Sequence, residues 1–67
     1  MDKYLITLAS DSHHLMSENP FYIKTYKVAA RTLEEANKYI EFLERQFSLE
    51  YKVFLNDIIH LWTCRIK

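Results

Sequence analysis

TLEEANKYIEFLERQF, residues 32–47, is the one segment of this 67-residue chain with clear helical periodicity. Thr32 and Glu35 have the spacing of a capping box, in which each side chain bonds the other residue's backbone amide. Apolar residues then recur at steps of three and four, which places them in one stripe: Leu33, Ala36, Ile40, Leu43 and Phe47. The pattern predicts a capped helix with one face available for packing.

The segments on either side of this helix predict β-strands. Residues 3–9, 21–30, 50–55 and 58–66 are rich in β-branched, aromatic and aliphatic side chains. Asn56 and Asp57 have the composition of a tight turn between the last two. We therefore expect one α+β domain over residues 1–67, of order β-β-α-β-β. In this arrangement the helix lies across one face of an antiparallel sheet of about four strands.

Composition excludes several classes of protein. The formal net charge is zero, which argues against a dedicated polyanion binder. Glycine is absent, so phosphate-binding loops built on glycine are excluded. No apolar run approaches the roughly 20 residues that span a bilayer, and the short apolar start leads into the polar SDSHH segment, unlike a signal peptide. The lone cysteine, Cys64, fits a reducing compartment, and we expect a cytoplasmic protein.

No group of residues predicts catalysis, a metal site or a cofactor. The segment 10–20 contains Asp11, His13 and His14, which lack an evident fourth ligand. His60 and Cys64 share one parity of the last strand, but four strand positions separate them by about 13 Å, too far for one zinc ion. A cysteine within an apolar strand is normally inert. We expect no enzymatic activity.

One helix covers only one face of such a sheet, so apolar side chains remain on the other face. We expect that open side to carry some combination of Leu5, Tyr22, Tyr26, Ile59 and Leu61, and such exposed patches mark contact surfaces. Acidic residues concentrate on the helix and basic residues on the strands. Six aromatic and basic residues form the predicted partner-binding set: Tyr22, Lys24, Tyr26, Arg31, Trp62 and Arg65.

The strand and helix order, with VAARTLEEANKYI leading into the helix, resembles small proteins carried by bacteriophages and other mobile elements. Some inhibitors of CRISPR systems share a strand-strand-helix-strand plan. The resemblance covers most of the chain as topology and pattern, and it carries over no functional residue. It implies a non-enzymatic inhibitor or adaptor that occupies a surface of a larger protein.

Three functions remain open at this point. The first is a protein-binding module, most concretely an inhibitor that docks on a host complex and blocks a site sterically. The second is a nucleic-acid binder, because Tyr22, Lys24 and Tyr26 interleave aromatic and basic side chains. The third is a structural subunit that forms a homodimer through a sheet edge or face.

Overall fold

The computed structural model describes residues 1–10 and 22–66 and shows a small α+β domain. The described residues form three strands, two helical segments and one 3-10 turn. These are β1 (Asp2–Ser10), β2 (Tyr22–Ala30), α1 (Leu33–Asn37), α2 (Ile40–Tyr51), the 3-10 turn Leu55–Asp57 and β3 (Ile58–Ile66). The strands predicted at 3–9 and 58–66 are confirmed. So is the strand predicted at 21–30, apart from Phe21, which lies outside the described residues.

The three strands form an antiparallel sheet in the order β2-β1-β3, so the first strand in sequence is the central one. Ile6 faces Tyr26 on one side and Thr63 on the other. The β1–β3 register is interrupted once, because Thr7 pairs with Trp62 whereas Leu8 pairs with His60. Leu61 is therefore an extra residue in β3, which is a β-bulge.

The helix begins where the capping pattern predicts. The Glu35 amide donates a hydrogen bond to Thr32 Oγ1 at 3.1 Å. The Glu35 carboxylate accepts from the Arg31 amide at 3.3 Å, one residue before the expected partner. Instead of one continuous helix, α1 and α2 are separated by a tight turn. There the amides of Lys38 and Tyr39 bond to carbonyls three residues back.

The strand predicted at 50–55 is wrong, because α2 extends through Glu50 and Tyr51. The Tyr51 ring lies 4.7 Å from Phe47 and 4.6 Å from Tyr22, so burying this ring favours one more helical turn. The helix ends at Lys52, which adopts the left-handed conformation with φ 58°. The segment directly before Asn56 is not a strand, so the residues of the predicted hairpin turn belong to the 3-10 turn that leads into β3.

The core lies between the helices and one face of the sheet. Five buried residues form its main cluster: Ile6, Leu8, Leu43, Phe47 and Ile58. Tyr4, Ala30 and Ala36 form a smaller cluster at the end where α1 packs. Tyr4, Ile6 and Leu8 alternate along β1 and share its buried face. The alternation of β1 thus anchors the helices to one side of the sheet.

Replacing Phe47 with alanine is expected to cost about 3–5 kcal/mol, because the ring is completely buried and its removal leaves a cavity. That loss approaches the whole stability of a small domain. Urea unfolding followed by circular dichroism measures it. Phe42→Ala is the matched control, since this α2 ring is 60% exposed and its loss should change stability by less than about 0.5 kcal/mol. Equal losses would contradict the assigned core.

Candidate binding surface

The side of the sheet opposite α1 and α2, called the open face below, is defined by the strand registers. Side chains alternate between faces along a strand, and directly paired residues share a face. The pairings therefore arrange the open face in four cross-strand rows. From one end to the other these rows are Ile23–Ala9–Ile59, Thr25–Thr7–Trp62, Lys27–Leu5–Cys64 and Ala29–Lys3–Ile66.

The accessible part of the open face comes from the two edge strands. Thr7 and Ala9 in the central strand are buried, and the Thr7 hydroxyl lies 2.9 Å from that of Thr25. The large apolar side chains of the edges are exposed: Ile23 51%, Ile59 49%, Trp62 54% and Ile66 37%. The open face thus presents large exposed apolar side chains on both sides of a buried central strand, which is unusual for a solvated sheet.

Charge is confined to one end of the open face. Lys27 and Lys3 lie in the two rows farthest from Ile23 and Ile59. No acidic side chain lies on this face among residues 1–10 and 22–66. The surface therefore combines an apolar end with a basic end.

The β-bulge in β3 determines which residues reach this surface. Ile58 and His60 precede the bulge and share the helix-covered side with Ser10 and Leu8. Trp62 and Cys64 follow it and lie on the open side, beside Thr7 and Leu5. Simple alternation would have grouped all four on one face. The extra residue Leu61 shifts the phase, and this phase shift brings Trp62 to the open face.

The prediction that Tyr22 and Tyr26 lie on the open face is wrong. Both pack against the core beneath the helices, because Tyr26 pairs with Ile6 and Tyr22 with Ser10. Lys24 lies between them, and its Nζ bonds both carboxylate oxygens of Glu50 in α2 at 3.0 Å. The aromatic and basic side chains that the sequence suggested for binding a partner therefore make contacts within the protein itself.

Tyr26 and Lys24 form a partly desolvated pair beside α2. The Lys24 ammonium lies 5.2 Å from the centre of the Tyr26 ring, a cation–π distance. The hydrogen bond to Glu50 raises the pKa of Lys24. Burial raises the pKa of Tyr26 above its ordinary 10.0, although Lys24 opposes the shift. The Tyr26 hydroxyl is buried and has no hydrogen-bond partner among residues 1–10 and 22–66, which is an energetic cost.

The two predicted arginines lie apart from the open face. Arg65 faces Tyr4 on the helix-covered side and forms an exposed ion pair with Asp2 at 3.4 Å. Arg31 is exposed in the turn between β2 and α1. Of the six residues predicted to bind a partner, only Trp62 lies on the open face. Sequence reasoning missed Ile23, Lys27 and Ile66, which only the register and the bulge identify.

A second exposed apolar area lies on the helix side. Leu49 is 80% exposed and Leu55 is 51% exposed, and both line a shallow groove with Arg45 and Ser48. Phe42 lies on the same side of α2, seven residues before Leu49. This area lacks a tryptophan and mixes charged with apolar side chains, so it is a weaker contact surface than the open face.

Residues 1–10 and 22–66 contain no group of three or more potential metal ligands. His60 and Cys64 lie on opposite faces because of the bulge, contrary to the parity expected from sequence. The His60 ring bonds the Thr63 hydroxyl at 2.7 Å instead. Asp11, His13 and His14 fall outside the described residues.

Comparisons with protein families, curated proteins and solved structures found no match to this chain. No helix within the described ranges is long and apolar enough to cross a membrane. The function must therefore be inferred from the surface itself.

Replacing Tyr26 with phenylalanine is expected to stabilise the protein by about 1 kcal/mol, because it removes a buried hydroxyl that has no partner in the described part of the chain. The variant should also lose less stability in alkali. The raised pKa of Tyr26 means that the folded state resists ionisation, so stability present below pH 10 falls as the pH rises through this range.

Urea unfolding between pH 7 and pH 11 measures both effects. Tyr39→Phe is the control, because the Tyr39 side chain is 40% exposed. A destabilised Tyr26→Phe protein with an unchanged alkaline decline would contradict the assigned environment.

Proposed function

We propose that this protein is a non-enzymatic binding module that docks its open face on a larger protein. The supporting observation is the exposure of Trp62 among Ile23, Ile59 and Ile66 on a face that no described helix covers. Tryptophan is enriched among the residues that dominate protein interfaces. Burying these side chains gives a partner a favourable hydrophobic contribution.

The charge pattern specifies what the partner surface offers. Trp62 fits an apolar pocket, and the apolar end of the open face fits a surface with few charges. Lys3 and Lys27 at the other end favour acidic groups on the partner. Because these lysines lie at the margin, they contribute mainly to the rate of encounter, whereas Trp62 contributes mainly to the lifetime of the complex.

The most specific form of the proposal is an inhibitor that blocks a site on a host complex in the cytoplasm. It rests on the resemblance to mobile-element proteins, and the order of the described elements, strand-strand-helix-strand, is compatible with it. The mechanism is steric: the bound sheet occupies a surface that another molecule needs. The free, exposed thiol of Cys64 is compatible with a reducing compartment.

The nucleic-acid alternative loses its main support. It depended on Tyr22, Lys24 and Tyr26 being available to stack on bases and pair with phosphates. Lys24 is paired with Glu50, and both tyrosines pack on the core. Lys3 and Lys27 alone give the open face too little positive charge for strong phosphate binding.

Cys64 gives a direct test, because it is the only cysteine of the chain, it is exposed, and it lies one row from Trp62 on the open face. A photo-crosslinker attached to this thiol should trap one discrete protein from an extract of the source cells. The matched control carries Cys64→Ser with Glu41→Cys, which moves the probe to an exposed site on α2.

Trp62→Ala should abolish the Cys64 adduct and weaken binding to the purified partner at least about 30-fold, equivalent to about 2 kcal/mol. Phe42→Ala, a similarly exposed ring on α2, should change the affinity less than about threefold. Adducts formed equally from both probe positions, or destroyed by nuclease, would overturn the proposal. A loss caused by Phe42→Ala alone would move the site to α2.

A further inference from the structure

The outer edge of β3 is a second surface that can bind another strand. The order β2-β1-β3 leaves β3 at one side of the sheet, and no strand within residues 1–10 and 22–66 pairs with its outer edge. β3 is nine residues long, so this edge presents a row of backbone donors and acceptors. Such an edge is a template for another strand.

β3 carries few of the features that prevent strands from pairing at an edge. Lysine and proline are the usual protective residues, and β3 contains neither. Its one charged side chain is Arg65, next to the end of the strand. The opposite edge, β2, contains Lys24 and Lys27. The bulge at Leu61 interrupts β3 but leaves extended segments on both sides.

We infer that β3 pairs antiparallel with β3 of a second copy about a twofold axis at Trp62, forming a six-stranded sheet. This inference goes beyond the proposed docking function, because it concerns the strand edge instead of the open face. A second copy is the natural occupant, since a twofold axis lets a strand meet itself in antiparallel orientation.

The register follows from matching faces, because paired residues must lie on the same side of the new sheet. With the bulge residue Leu61 left unpaired, Trp62 faces Trp62 of the partner subunit. Ile59 then faces Cys64 of the partner subunit on the open side. A shift by one position would place open-face residues against helix-side residues. The two tryptophans form the aromatic cross-strand pair that stabilises sheets.

Charge and closure agree with a dimer. Arg65 faces Ile58 of the partner subunit in this register, so the two guanidinium groups lie at opposite ends and do not repel each other. The pairing uses the outer β3 edge of each copy. The outer strands of the six-stranded sheet are then the two copies of β2, which contain lysine. The assembly therefore stops at two copies.

Dimerisation would also enlarge the open face. The two copies contribute one continuous sheet surface, with both Trp62 side chains at its centre. A partner with two equivalent sites, or one long apolar surface, would bind the dimer more tightly than it binds one copy.

Cysteine cross-linking tests the pairing on the purified full chain. In the Ile59→Cys variant, the introduced thiol should lie directly opposite native Cys64 of the partner subunit, within disulfide range. The same two positions within one chain are four strand steps, about 13 Å, apart, so they do not bridge internally. Copper-phenanthroline oxidation should give a covalent dimer whose disulfide joins position 59 to position 64.

Ile23→Cys is the matched control, because Ile23 is equally exposed and lies on the open face at the other edge. Ile59→Cys should bridge at least about tenfold faster, since pairing holds its thiols at a high effective concentration. Equal rates, a bridge between two copies of position 64, or no bridge would overturn the inference. This measurement uses only the purified chain and needs no host partner. Failure of the dimer inference can therefore be distinguished from failure of the docking proposal.

Leu61→Lys supplies a second measurement that needs no oxidation. The new ammonium groups of the two copies lie near the axis, so the dimer dissociation constant should rise at least about tenfold. Sedimentation equilibrium should give twice the 8.1 kDa chain mass for the natural protein and a shift toward one chain for the variant. Circular dichroism checks that the variant is folded. A natural protein of single-chain mass at all concentrations would contradict the inference.

Discussion

The packing of Leu43 and Phe47 on Ile6 and Leu8 determines how the whole sheet is oriented. It fixes which face of β1 is covered, and through the strand registers it fixes the faces of β2 and β3. Tyr26 pairs with Ile6 and must pack beneath the helices, whereas Thr7 and its neighbours must lie on the opposite side. A single helical layer cannot cover both faces of the sheet, so one apolar face is left uncovered by the described helices.

The bulge at Leu61 adds a second constraint, because it decides what that remaining face displays. Before the bulge, β3 directs Ile58 into the core; after it, β3 directs Trp62 outward. The same strand therefore contributes Ile58 to the core and alternating residues, Trp62 among them, to the open face. Bulges redirect side chains in this way without breaking the sheet. The exposure of a tryptophan on an edge strand is what makes both protein docking and self-pairing physically reasonable.

Much of the fold could be predicted from the sequence, since the signals were local. Thr32 and Glu35 marked the start of the helix, and alternation in β1 marked its buried face. The failures involved distant contacts. Tyr51 looked like part of a strand, yet its contacts with Phe47 and Tyr22 keep it in α2. Tyr22 and Tyr26 were predicted on the open face. Their pairing with Ser10 and Ile6 of β1 places them on the helix-covered side instead. Leu5 and Ile59 lie on the open face as predicted, and Trp62 is the one residue of the predicted partner-binding set that lies there. The bulge that brings Trp62 to this face leaves no pattern in a short apolar strand.

Both the docking surface and the dimer require Trp62 to lie on the side of the sheet that the helices leave uncovered. Nuclear Overhauser contacts from the single tryptophan ring in solution are the sharpest test of that position. We expect contacts between the Trp62 ring and the side chains of Thr7 and its open-face neighbours, with none to Phe47. Contacts of both Trp62 and Thr7 with Phe47 would show that the helices cover the opposite face of the sheet.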